Sequence, residues 1–250
     1  MPHLAYVLLE KPEDPPWEAV RRELRGPFWR PSSSARNMVR DGDSIAFAYE
    51  GGHAAVMLVE ESLPPDLMET VAETSLHWPE GREIVPRHKA FLVCRFRQER
   101  GLDAIEEALV LGRVVSAVLS GTRALGVSWN NRVVSPPGYF RKTTAGASRK
   151  DLPTMLWVNV HGTTGDRGTR MCTAGLSDYD LMEIEADMDL LDRSSLVCLV
   201  ADFARYLLHS GPVVEDGHTT GSAGTDQRIL VRHESSIFIE GATVYRLRKP

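Results

Sequence analysis

The chain has 250 residues, with 29 Lys and Arg against 34 Asp and Glu, for a formal charge of −5. Apolar residues make up 42% and charged residues 25%, the balance of a globular protein and not of a disordered, collagenous or coiled-coil chain. The acidic excess argues against a general nucleic-acid binder.

Residues 4–9 form a continuous apolar run, the pattern of a buried strand. Pro15 and Pro16 open a helix near 16–25 that Gly26 and Pro27 stop. Residues 30–43 are polar and read as a loop. Ser44–Tyr49 and His53–Glu60 flank Glu50-Gly51-Gly52, a hairpin signal. A second helix follows Pro64 and Pro65, over about 66–77, and ends at Trp78-Pro79. Lys89–Phe96 is the next strand. Asp103 caps a long helix with Ile105, Ala108, Leu109, Gly112, Ser116 and Leu119 on one face, and Gly126 closes it. Val127–Trp129 and Arg132–Val134 flank an Asn130-Asn131 turn, and residues 141–151 read as a polar loop.

Met155–His161 and Thr169–Ala174 bracket a glycine-rich hairpin, and Leu181–Leu190 alternates as a strand. Ser194 or Ser195 caps a helix carrying Leu196, Leu199, Val200, Phe203, Tyr206 and Leu207 on one face, stopped by Gly211-Pro212. Ile229–His233 and Val244–Leu247 close the chain. About ten strands, often in adjacent pairs, and four helices define an α+β class with a mostly antiparallel sheet. The expectation is one domain over 1–250, with a subdivision near 80–88 as its one break point. The order strand–helix–hairpin–helix near 4–77 and again over 89–209 raises an internal duplication, without sequence identity to support it.

Three cysteines, Cys94, Cys172 and Cys198, form neither a disulfide framework nor a zinc or redox pair. Each lies in an apolar stretch, as a buried free thiol of a reducing compartment does. The N-terminus lacks the basic and long apolar regions of a signal peptide, and no apolar stretch reaches membrane-spanning length, so a cytoplasmic protein is expected. Nucleophile-elbow, phosphate-loop, dinucleotide and zinc-helix motifs are missing from the sequence, and nothing in it calls for a cofactor.

Residues 178–192 hold seven acids and no lysine or arginine up to Asp192. Met182, Ile184, Ala186, Met188 and Leu190 alternate with Glu183, Glu185, Asp187 and Asp189. On a strand the four carboxylates share one face at about 6.7 Å intervals. Such a row repels itself unless something positive meets it. Three readings stay open: a solvated face that discourages edge pairing, a docking surface for a basic protein, or a divalent-metal site. With Asp178 and Asp180 these residues form a candidate partner-binding set, to which Trp129, beside the Asn-Asn turn, adds an exposed aromatic anchor. An alternative site combines His88, which precedes a buried strand, with Asp216 and His218 of the Glu215–Asp226 loop. Such residues suit a hydrolase or transferase with a metal on the acidic strand.

Several segments together resemble the bacterial "domain of unknown function 4261" family. They are Ala5-Tyr-Val-Leu-Leu, Trp78-Pro79, His88-Lys-Ala-Phe-Leu-Val, Ala124-Leu-Gly-Val-Ser-Trp129, Val134-Ser-Pro136, Leu152-Pro with Leu156-Trp-Val, Thr173-Ala-Gly-Leu176, Met182-Glu-Ile-Glu185, Tyr206-Leu-Leu and Asp216-Gly-His-Thr. Their order spans nearly the whole chain, which departs from the family pattern at the acidic Ser177–Asp180 stretch. Relatives often lie beside polymorphic or type VI toxin genes. The resemblance therefore implies an immunity protein, non-enzymatic, whose partner is a cognate toxin; a secretion-system adaptor is a further reading, and the acidic composition and the lack of a membrane-length apolar stretch leave neither nucleic acid nor membrane as an expected partner.

Overall fold

The apolar run at the start of the chain becomes β1 (Leu4–Leu9), the strand on which the first part of the fold is built. The computed structural model describes residues 3–25, 35–99, 101, 103–166, 168–221 and 228–250. The chain divides into two compact units, one ending at Leu156 and the other beginning at Trp157. The expected break near 80–88 falls inside the first unit. The class is α+β, with two largely antiparallel sheets.

The first unit continues through α1 (Trp17–Glu23), β2 (Arg36–Asp41), β3 (Ser44–Tyr49), β4 (Gly52–Val59), α2 (Pro65–Thr74) and α3 (Gly81–Ile84). It then runs through β5 (Ala90–Gln98), α4 (Ala104–Leu119), β6 (Ala124–Trp129), β7 (Val133–Ser135) and α5 (Pro137–Gly146), and the short α6 (Thr154–Trp157) lies at the boundary. The strand order is β2-β3-β4-β5-β1-β6-β7, and every pairing is antiparallel. β1 and β5 lie at the centre, and β1 is buried on one face and buried or partly buried on the other, which explains why residues 4–9 read as unbroken apolar sequence. The mostly buried α4 lies against them, flanked by α1 and α5. Leu8 and Phe91 join Leu63, Met68, Val71, Trp78, Val85 and Val134 in a core cluster beneath α2.

The second unit contains β8 (Asn159–Gly165), β9 (Gly168–Ala174), β10 (Ile184–Asp187), α7 (Arg193–Ser210), β11 (Thr219–Thr220), β12 (Ile229–Ser235) and β13 (Thr243–Arg248). Its order is β11-β12-β13-β10-β9-β8, with β10 and β13 parallel and the other pairs antiparallel. α7 packs on β8, β9 and β10, and Phe203 meets Tyr245 edge-on at 5.7 Å between ring centroids.

Several elements differ from expectation for identifiable reasons. β2 sits where a loop was expected: it is an edge strand with almost no buried side chain, so its polar sequence carries no alternation to read. α5 occupies most of the supposed loop at 141–151 and buries little besides Phe140 and Thr144. α4 ends at Leu119, short of Gly126, because the hydroxyls of Ser120 and Thr122 donate to the carbonyls of Ala117 and Val118. Asp192, not a serine, caps α7, its Oδ1 accepting from the Ser195 amide at 3.1 Å. The Asp103 cap and the Asn130-Asn131 turn stand as expected, both asparagines adopting positive φ. The stretches 4–77 and 89–209 do not build equivalent halves. The hairpin after α1 joins β5 through its second strand, whereas the hairpin after α4 joins β1 through its first. Gly26, Pro27, Phe28, Trp29 and the serine run at 32–34 lie outside the described residues.

Gly52 opens β4 against β5, and a Cβ there would stand 2.5 Å from the Arg97 carbonyl and 2.6 Å from the Phe96 ring. The obstructing backbone belongs to a paired strand and cannot withdraw cheaply. Gly52→Ala should therefore cost about 1–3 kcal/mol in chemical denaturation followed on the first unit.

Candidate functional site

The acidic segment is built into the interior of the second unit. Only Ile184–Asp187 is strand, and Asp187 accepts the Leu190 amide in the turn that follows. Strand alternation places Glu185 and Asp187 on one face, yet that face is not a free surface. The Ser236–Ala242 segment reaches it: Ser236 Oγ donates to Glu185 Oε1 at 2.5 Å, and the Ile237 amide lies at 3.3 Å. Glu185 is 2% exposed, and its other oxygen meets Arg246 at 2.5 Å across the parallel β10–β13 pairing. Arg246 also faces Glu234 at 3.8 Å, and Glu234 accepts from Arg248. Asp187 pairs with Arg170 at 2.8 Å across β9.

Glu183 is buried just before β10. Its carboxylate accepts from Thr173 Oγ1 at 2.7 Å, the Gly175 amide at 2.9 Å, and the Ser177 amide and hydroxyl at 3.0 and 2.9 Å. It thus ties down the 3-10 turn at Leu176–Tyr179. That turn needs a glycine before it, because Gly175 has φ +128° and a Cβ would stand 2.5 Å from the Trp157 carbonyl. Asp178 is buried, while Asp180, in a left-handed conformation, and Asp189 are exposed. Asp189 pairs with Lys249 at 2.9 Å, and that bond holds its carboxyl below the ordinary range. The expected row of four carboxylates facing a partner is therefore corrected: Glu183 and Glu185 are inside, and Asp187 is partly covered.

Trp129 is likewise not an exposed anchor. It is 1% exposed on β6, packed between His3 and Phe140. His88 is buried, accepting the Leu63 amide at Nε2 (2.9 Å) and donating from Nδ1 to the Val85 carbonyl (2.6 Å). Both ring nitrogens are committed, so it is not positioned as a base. It belongs to the first unit, and Asp216 and His218 to the second. Asp216 Oδ1 accepts the His233 amide at 2.8 Å and Arg232 Nε at 2.9 Å, and the amide bond first, with Arg232, holds its pKa low. His218 Nδ1 accepts the Glu215 amide at 3.2 Å. These two residues shape the turn that leads into β11 and tie it to β12, and residues 222–226 of the same loop lie outside the described residues.

Burial pushes the Cys94 and Cys172 thiols up to about 12, with Glu185 adding to the effect at Cys172, so neither is a ready nucleophile. Cys198, expected to be buried, is exposed on α7. Among the described residues no group of three His, Cys, Asp or Glu side chains is placed to hold a metal, and no helix is long and apolar enough to cross a membrane.

What the second unit does offer is a cavity of about 460 Å³. Leu199, Asp202, Phe203 and Tyr206 of α7 form one wall, and Val213, Val214 and His218–Gly221 the other. The spacing i, i+3, i+4, i+7 puts the four α7 residues on one helix face. Leu199, Phe203 and Val214 are buried at its floor, while Tyr206 and Val213 are 49% and 50% exposed at its rim. The sequence reading placed Tyr206 on the core face. A tyrosine on an aliphatic stripe, followed by Gly211-Pro212-Val213-Val214, was the available signal that this stripe runs out into solvent.

The architecture and this groove define the second unit as an α+β module with an internally neutralised sheet face. Residues 172–248, most of that unit, match the family model described as Domain of unknown function (DUF4261). The match stops short of the first unit, where half of the resembling segments lie. No curated protein and no solved structure matches the chain.

Glu185→Gln removes the closest charge partner of the buried Arg246, leaving only Glu234 at 3.8 Å, and should destabilise the second unit by about 3 kcal/mol in denaturant titration. Asp189→Asn, at an exposed pair, should leave the transition unchanged. The raised thiols give a second expectation. Their folded forms stay protonated from the ordinary value of 9.0 to about 12, whereas unfolded thiols ionise. Stability is therefore complete below the ordinary value and lost as pH rises through that window. Cys94→Ala should flatten this alkaline slope in denaturation curves.

Proposed function

We propose that the chain is a non-enzymatic binding protein, an immunity protein that neutralises a basic toxin partner by occluding it. The observation that carries this reading is where the charge resides. Residues 157–250 hold fourteen acids against nine lysines and arginines, so the whole formal charge of −5 belongs to the second unit. Glu183, Glu185 and Asp178 are used inside it, while Asp180, Asp189, Asp202, Glu215 and Glu240 are exposed. A surface of one sign raises the encounter rate with a partner of the other and suppresses like-charged ones.

The test is a tagged pull-down from host lysate at low salt, followed by association kinetics with the recovered protein and a co-expression growth assay. The expected result is a basic partner that is toxic alone and harmless with this chain. Its association should slow about tenfold between about 50 and 300 mM salt. Salt-independent association, or toxicity unrelieved by the chain, would overturn the reading.

A further inference from the structure

We infer that the groove between α7 and the Val213–Gly221 segment is a docking site for an extended peptide segment of the partner, one that carries an aromatic or aliphatic side chain beside a lysine or arginine. This rests on the binding reading above and names the contact within it.

The floor is apolar, formed by Leu199, Phe203 and Val214, and its volume suits one or two large side chains. Tyr206 and Val213 stand half-exposed at the rim, so ordinary folding leaves apolar surface unsatisfied on both walls. The polar part of the rim is acidic. Asp202 lines the groove with its side chain 72% exposed, and its nearest cation, Arg205, is 4.0 Å away. Glu215, 82% exposed, flanks the lining residue His218 at 3.7 Å. Both carboxylates sit in loose, solvent-exposed pairs, in contrast to the buried 2.5 Å pair of Glu185, so a visiting cation can reach them. A lysine or arginine can also lie over the Tyr206 ring.

The opposite wall favours a peptide over a compact small molecule. Thr219 and Thr220, which line the groove, form β11, the edge of the six-stranded sheet. β11 pairs with β12 on one side, and among the described residues no strand pairs with its other side. An edge of this kind presents backbone donors and acceptors to an extended chain, with side-chain pockets supplying selectivity. Apolar floor, acidic rim and edge strand thus specify an extended, apolar and cationic occupant.

The probe is a phage-displayed library of random decapeptides, selected on the full chain. Tyr206→Ala and Val213→Ser serve as counter-variants; both sites are half-exposed, and circular dichroism confirms their fold. Enriched peptides should share a large apolar residue beside Lys or Arg and bind each variant about tenfold more weakly. Asp202→Lys should remove the preference for the cation. No enrichment, enrichment of acidic peptides, or peptides that bind the variants as well as the parent would overturn the proposal. So would a dimer in sedimentation that Tyr206→Ala dissolves, which would assign the groove to a second copy. These failures would leave the growth-rescue result untouched, so the site and the immunity role fall separately.

Discussion

The second unit depends on the requirement that a carboxylate taken into a sheet interior must meet its donors there. Charged groups withdrawn from water cost several kcal/mol each unless paired and hydrogen-bonded. Glu185 meets this with the Arg246 ion pair at one oxygen and with Ser236 and the Ile237 amide as donors to the other, and Glu183 with two amides and two hydroxyls. These contacts reach from β10 to β13, to the segment after β12 and to the turn after β9. The acids therefore fix the position of a short strand whose own hydrogen bonding covers only four residues. The parallel β10–β13 pairing, exceptional in an otherwise antiparallel sheet, is the register that brings Glu185 opposite Arg246.

The same neutralisation decides what charge is left for the outside. Arg246, Arg170 and Lys249 are each engaged by an acid of the 185–189 stretch. Three of the unit's nine cations are thereby spent on its own sheet, while Asp202 and Glu215 remain on the groove side in loose, solvent-exposed pairs with Arg205 and His218. An acidic sequence segment and an acidic surface are thus different places in this fold, and the first helps to create the second.

The fold class, the two hairpins, the Asp103 cap and the buried first strand were legible because each rests on local signals: periodicity, turn residues and a cap. The alternation of residues 182–190 was legible too, and it assigned Glu185 and Asp187 to one face correctly. It could not say that the face is covered, because the covering groups, Ser236 and Arg246, lie 51 and 61 positions further along the chain. β2 and α5 escaped notice for the opposite reason. They bury so little that pairing and packing, not composition, make them strand and helix. Trp129 was misplaced because an Asn-Asn turn signals a surface position for its own backbone, not for the ring that precedes it.

α7 shows how a core helix also becomes a binding wall. Leu196, Leu199, Val200, Phe203 and Leu207 bury one stripe against the sheet. Tyr206, on the flank of this stripe in the helix's C-terminal half, stays 49% exposed. Gly211, at φ +77°, ends the helix, and the chain returns through Val213 and Val214 to face that flank. The groove floor is therefore held by the same residues that hold the unit together, which makes it rigid. Its rim residues, half-exposed, contribute little to the core. Selectivity at such a site resides in Asp202, Tyr206, Val213 and Glu215, while stability resides one helical turn away in Leu199 and Phe203, so the partner can change without rebuilding the fold.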